Sequence, residues 1–141
     1  MEIIYQSIDI KREVVEEDEE DKGNRMLLNF GHTFAHAIEK ESNFKIPHGV
    51  AVAIGMCIIC DLAEKEGITP IGTSQKIKDV LAKYNLPTNT DFDLSKLAKI
   101  CLSDKKREMS SINIILLNEI GNSYIKKMAT DDFLNFATEN R

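Results

Sequence analysis

The chain has 141 residues, 43% hydrophobic and 29% charged, which is enough for one domain with a buried core. Its net charge of −5 advertises no basic surface for nucleic acid. The longest apolar run, Val50 to Cys60, is too short for a membrane span and stops at Asp61. No basic region of a signal peptide opens the chain, so a cytoplasmic protein without membrane partners is expected.

The predicted elements are mostly helical, and residues 1–141 are read as a single helical domain. Glu2 to Asp21 reads as one or two helices with Ile3, Ile4, Ile8, Val14 and Val15 facing inward. An unbroken acidic run, Glu16 to Asp21, closes that segment, and Gly23 breaks the chain. Arg25 to Glu41 carries Met26, Leu27, Phe30, Phe34, Ala37 and Ile38 at helical spacing. Ser42 to Pro47 is a turn. From His48 an apolar helix runs to about Glu66, with Gly67 as its cap. It is apolar nearly all round, as a central buried helix is.

Further helices are expected over Ser74 to Tyr84 and Asp93 to Cys101. Ile112 to Leu117 and Tyr124 to Lys126, around the turn Ile120-Gly121-Asn122, form a small hairpin. Thr130-Asp131-Asp132 starts a last helix, Phe133 to Glu139. The fold class is therefore mainly α, with a small β-hairpin near Ile112–Lys126. Cys57, Cys60 and Cys101 read as reduced thiols packed in the core.

The chain's three histidines all fall between positions 32 and 48. His32 and His36 are i, i+4, so on a helix they share a face. A short turn then returns His48 beside one of them. Imidazole is a common zinc ligand, and such a cluster suits a metal. Spacing alone leaves a second reading open, in which His32 and His36 are satisfied polar residues and His48 is a cap. The zincin motif is excluded, because Thr33 stands where it needs Glu.

Gly31 and Gly49 flank histidines and point either to a close approach to the backbone or to helix packing. Arg25, Asn29, His32 and His36 fall at i, i+4, i+7 and i+11, a continuous stripe if the helix is unbroken. A guanidinium there suits phosphate or carboxylate. Lys11, Lys105 and Lys106 can add charge, though singly each reads as surface. No phosphate-cradling glycine motif, dinucleotide fingerprint or nucleophile elbow is present.

Arg25-Met-Leu-Leu-Asn-Phe-Gly-His-Thr-Phe-Ala-His-Ala-Ile-Glu39, followed by Pro47-His-Gly-Val-Ala-Val-Ala-Ile-Gly-Met56, resembles the signature of the 3-dehydroquinate synthase family. Lys11, Val14-Val15, Asp18 and Gly23 upstream fit its pattern. So do Asp104-Lys105-Lys106 and Ile112 to Gly121 downstream. The resemblance spans nearly the whole chain.

That family has an N-terminal α/β domain that binds NAD and a helical C-terminal domain that holds most of the metal and substrate site. This chain resembles only the second. The resemblance implies an enzyme of the shikimate pathway, with Zn2+ or Co2+ and NAD as cofactors. NAD oxidises a ring hydroxyl of a phosphorylated seven-carbon sugar acid, phosphate leaves, the ketone is reduced again, and the ring opens and closes. His32 and His48 would be metal ligands. His36 and Lys11 would be catalytic. Arg25, Asn29 and one of Lys105 and Lys106 would bind the substrate's phosphate and carboxylate. The missing NAD-binding domain would be a partner, and a homodimer stays open for the full-length enzyme.

Three departures accompany the resemblance. The third metal ligand of the family, a glutamate in an upstream Ala-Glu-x-x-Lys segment, is not in this chain. Val50 replaces the glutamate that usually follows His-Gly, and Asp21 replaces a common glutamate. The expected fragment alone is inactive. Rival readings are a related sugar-phosphate cyclase of the inosose-forming type and a non-catalytic helical module.

Overall fold

The computed structural model describes residues 1–20, 23–103 and 110–138. The predicted helix α1 forms over Glu2–Glu17. Its packing differs from expectation. Ile3, Ile4 and Ile8 are exposed, at 68%, 63% and 62%, and only Val14 and Val15 are half-buried. Helical spacing establishes an apolar face but not what covers it. In this structure α1 lies mainly against the short segment that follows it. The Asp18 carboxylate makes that connection by accepting the Gly23 N–H at 2.5 Å and the Arg25 N–H at 3.2 Å.

Residues 25–41, read as one helix, are two elements. Asn24–Asn29 is a 3₁₀ segment, and α2 covers His32–Glu41. The break falls at Gly31, in the left-handed region with φ +81°. Arg25 and Asn29 therefore do not continue the stripe of His32 and His36. The cause is tertiary. α3, His48–Lys65, crosses α2 so closely that a Cβ on Gly31 would stand 2.7 Å from Met56 Cγ and 2.8 Å from Met56 N. A Cβ on Gly55 would run into the Gly31 carbonyl oxygen. Two glycines thus put the start of α2 in backbone contact with the middle of α3.

α3 is the central helix, as its composition foretold. Ala51, Ile54, Ile59 and Leu62 are buried among Phe34 and Ile38 of α2 and the elements beyond. Burying each large side chain contributes about 1.5–3 kcal/mol. Gly67, at φ +67°, ends α3, and the Ile68 and Thr69 N–H groups donate back to the Ala63 carbonyl.

α4, Thr73–Lys83, is fastened to α3 by polar contacts. Asp61 accepts from Ser74 Oγ at 2.5 Å and from Lys78 Nζ at 2.7 Å, and Glu64 accepts the Ser74 N–H at 2.5 Å. α5, Leu94–Ser103, packs on α2 and on the last helix, α6, Thr130–Thr138. Residue 139, expected to end α6, lies outside the described residues. Phe133 of α6 meets Phe34 with ring centroids 5.9 Å apart.

The hairpin is longer than its sequence signal. β1, Ser111–Glu119, pairs antiparallel with β2, Asn122–Ala129, in the register Ile115↔Ile125. Ile112, Ile114 and Leu116 enter the helical core. Thr69 Oγ1 donates to the Leu117 carbonyl at 2.7 Å and pins the hairpin to the end of α3. Cys57, Cys60 and Cys101 are buried and form no disulfide. Burial pushes the Cys57 thiol up to about 11 and the Cys60 thiol up to about 12, so neither is a nucleophile. Among the described residues no helix is long and apolar enough to cross a membrane.

The crossing makes a paired expectation. Gly55→Ala should lose about 1–3 kcal/mol of unfolding free energy, because its new methyl meets backbone and not a yielding side chain. Gly49→Ala, where a Cβ meets nothing within 4 Å, should be neutral or stabilising by up to about 1 kcal/mol. Urea denaturation of both variants measures this, and equal stability of the two would contradict the close crossing.

Candidate metal and substrate site

α2 opens with His32 directly after the Gly31 break and places His36 one turn on. The chain then reverses between Ser42 and Pro47, with Asn43 and Phe44 both left-handed at φ 51° and 58°. The Glu39 carbonyl anchors the reversal by accepting the Phe44 N–H at 2.7 Å. α3 opens with His48. The helical hairpin gathers all three rings. Centroids are 5.1 Å apart for His32–His48, 5.8 Å for His32–His36 and 6.3 Å for His36–His48.

These spacings discriminate between the pairs. Two imidazoles bound to one tetrahedral ion through nitrogens about 2.0–2.1 Å away would hold their centroids roughly 5 Å apart. The His32–His48 pair fits that spacing, and the two pairs involving His36 are wider. Ring hydrogen bonds select the same pair. His32 Nδ1 lies 3.3 Å from the Phe30 carbonyl oxygen, and His48 Nδ1 lies 2.9 Å from Glu39 Oε1. Carbonyl and carboxylate oxygens only accept, so in the neutral ring these contacts favour the proton on each Nδ1 and leave a lone pair on each Nε2. That is the form in which imidazole ligates a metal. Among the described residues no three His, Cys, Asp or Glu side chains are arranged to hold an ion. The donor set fits a divalent metal but falls short of a closed site.

His32 is partly buried, and loss of hydration lowers its pKa from the ordinary 6.5. The hydrogen bond to Phe30 opposes the shift, and the charges of His48 and His36 add to it.

Beside the rings lies a cavity of about 280 Å³. Asn29, His32, Thr33 and His36 line it together with Cys101 of α5 and Asn113 of β1. Cys101 Sγ donates to the Thr33 carbonyl at 3.3 Å and ties α5 to this wall. The structure therefore brings Asn29, His32 and His36 together. It does not bring Arg25 or Lys11 into the described lining. Arg25 Nη1 donates to the Glu19 carbonyl at 3.3 Å, and Lys11 is exposed on α1. Lys105 and Lys106 lie outside the described residues.

Gly31 serves packing against α3, while a Cβ on Gly49 would meet nothing within 4 Å. Two residues escaped the sequence reading. Glu39 lies at i+3 from His36 and i+7 from His32, so an acid on the histidine face was the available signal. Asn113 was indistinguishable from any outward polar residue of a strand.

Residues 1–107 match the family profile "3-dehydroquinate synthase C-terminal". The chain belongs to that family. It is 47% identical over 134 residues to a 3-dehydroquinate synthase of Clostridium perfringens, covering 94% of this chain and 38% of the relative. A 3-dehydroquinate synthase of Enterococcus faecalis is 42% identical over 137 residues, covering 96% and 38%. The chain thus spans less than half the length of these relatives.

Solved structures share the fold. A 2-deoxy-scyllo-inosose synthase complexed with carbaglucose-6-phosphate, NAD+ and Co2+ superposes with TM-score 0.76 at 22% identity, over 95% of this chain and 40% of that one. A 2-epi-5-epi-valiolone synthase from Streptomyces hygroscopicus, with NAD+ and Zn2+ bound, gives TM-score 0.76 at 20% identity, over 95% and 38%. Family membership confirms the resemblance read from the two histidine motifs.

The desolvated ring makes a pH-dependence expectation for the metal-free chain. The fold favours neutral His32. The stability this contributes is full above 6.5 and is lost as pH falls through the depressed folded-state value. An NMR titration should place the His32 midpoint below 6.5, and a midpoint above that value would contradict the burial argument.

Proposed function

We propose that this chain is the metal- and substrate-gripping part of a 3-dehydroquinate synthase, a cytoplasmic lyase of the shikimate pathway. With an NAD-binding domain it converts 3-deoxy-D-arabino-heptulosonate 7-phosphate to 3-dehydroquinate and phosphate. The observation that carries this reading is the His32–His48 pair, at ligand spacing with both Nδ1 atoms occupied, beside a cavity that also holds His36 and Asn29. The sequence likeness to enzymes of that name supports it.

His32 and His48 hold a divalent ion, Zn2+ or Co2+, and a glutamate from outside the chain completes the set. Such an ion would lower the pKa of the reacting hydroxyl and so favour hydride loss to a bound NAD. His36, exposed at the cavity wall, touches substrate and passes protons. Asn29 orients the substrate from the same wall. By the family resemblance, Lys11, Arg25 and one of Lys105 and Lys106 would bind its phosphate and carboxylate, and Lys11 would also take part in catalysis.

The relatives' names favour this substrate over that of an inosose-forming cyclase, since the cyclase likeness rests on fold. A non-catalytic helical module has no need to keep Lys11, Arg25, Asn29 and all three histidines together.

Two measurements test the reading. By isothermal titration the chain should bind zinc weakly, and a His32→Ala, His48→Ala double variant should lose that binding. Unchanged affinity would refute the ligand assignment. In an assay with NAD, zinc and the sugar-acid phosphate, the chain alone should release no phosphate, and adding the NAD-binding domain should restore turnover. Turnover by the chain alone would overturn the proposal that half the site is missing.

A further inference from the structure

We infer that Glu39 is a positioning residue: its carboxylate holds the His48 ring so that Nε2, and not Nδ1, faces the metal. The inference rests on the metal reading above and goes beyond it, because it names what fixes the ligand's tautomer. Glu39 Oε1 stands 2.9 Å from His48 Nδ1, and the glutamate side chain is only 15% exposed against 55% for His48. A carboxylate so far withdrawn from water costs free energy unless a hydrogen bond compensates it. The ring N–H of His48 supplies that bond.

The backbone rigidifies the arrangement. The Glu39 carbonyl accepts the Phe44 N–H at 2.7 Å and Ser42 Oγ at 3.0 Å, so the residue that grips the ring also anchors the turn leading to it. His32 is set the same way by a different acceptor, the Phe30 carbonyl at 3.3 Å. The two rings of the pair at ligand spacing therefore present matching atoms. Carboxylate partners of this kind orient a ligating imidazole and raise its basicity.

An ordinary ion pair between two helices would predict lost stability without a change in ring chemistry, so the test reads the ring directly. Long-range 1H–15N correlation on the metal-free, 15N-labelled chain, at about pH 8 where imidazole is neutral, reports which nitrogen is protonated. The expected wild-type result is a protonated Nδ1 on His48. Glu39→Ala should release that preference and lower zinc affinity about 10–100-fold. Glu39→Gln, whose amide oxygen still accepts, should keep the tautomer and lose less affinity.

A wild-type His48 protonated on Nε2 overturns the inference without any variant. An unchanged tautomer and affinity in Glu39→Ala overturn it as well. Zinc binding that survives loss of His32 and His48 would instead sink the metal reading, and the tautomer would still decide whether Glu39 holds the ring.

Discussion

The backbone contact between Gly31 and Gly55 is the constraint on which the rest depends. It stops the segment before α2, brings the start of α2 into backbone contact with the middle of α3, and makes His32 the first residue of its helix. Because the crossing is tight, the short reversal after Glu41 suffices to return the chain. His48 then starts α3 within 5.1 Å of the His32 ring. Larger residues at the crossing would separate the helices, and the ring spacing with them. The cluster is therefore a product of helix packing as much as of sequence spacing.

Around that crossing the structure divides labour between a dry core and a polar edge. Phe34 and Ile38 turn inward from α2, while His32, His36 and Glu39 lie on its other side. The hairpin serves both. Ile112 and Ile114 complete the core, and Asn113 between them lines the cavity. A two-stranded hairpin is marginal alone, so its place beside the histidines depends on the helices it covers. Thr69 and the end of α3 keep it there.

Much of this was legible in the sequence. The all-round apolar pattern from Val50 marked the central helix, Gly67 marked its end, and the apolar run from Ile112 followed by the turn Ile120-Gly121-Asn122 marked the hairpin. The histidine cluster was visible because i, i+4 spacing plus a short turn constrains three rings by local geometry. What was not legible depends on partners distant in sequence. The break at Gly31 is imposed by Met56 and Gly55, and the hydrophobic period runs across it undisturbed. Ile3, Ile4 and Ile8 form an apolar pattern that this chain leaves uncovered. The ring spacing that singles out His32 and His48 exists only in three dimensions, and so does the Glu39 contact. The resemblance had named that pair, and its ring centroids lie nearer each other than either lies to that of His36.

The central claim, that His32 and His48 hold a divalent ion through Nε2, is met most directly by X-ray absorption spectroscopy at the zinc edge of the zinc-loaded chain. Two imidazole nitrogens at about 2.0–2.1 Å are expected, with oxygen completing the shell. A shell with sulfur, or with fewer than two imidazoles, would contradict it.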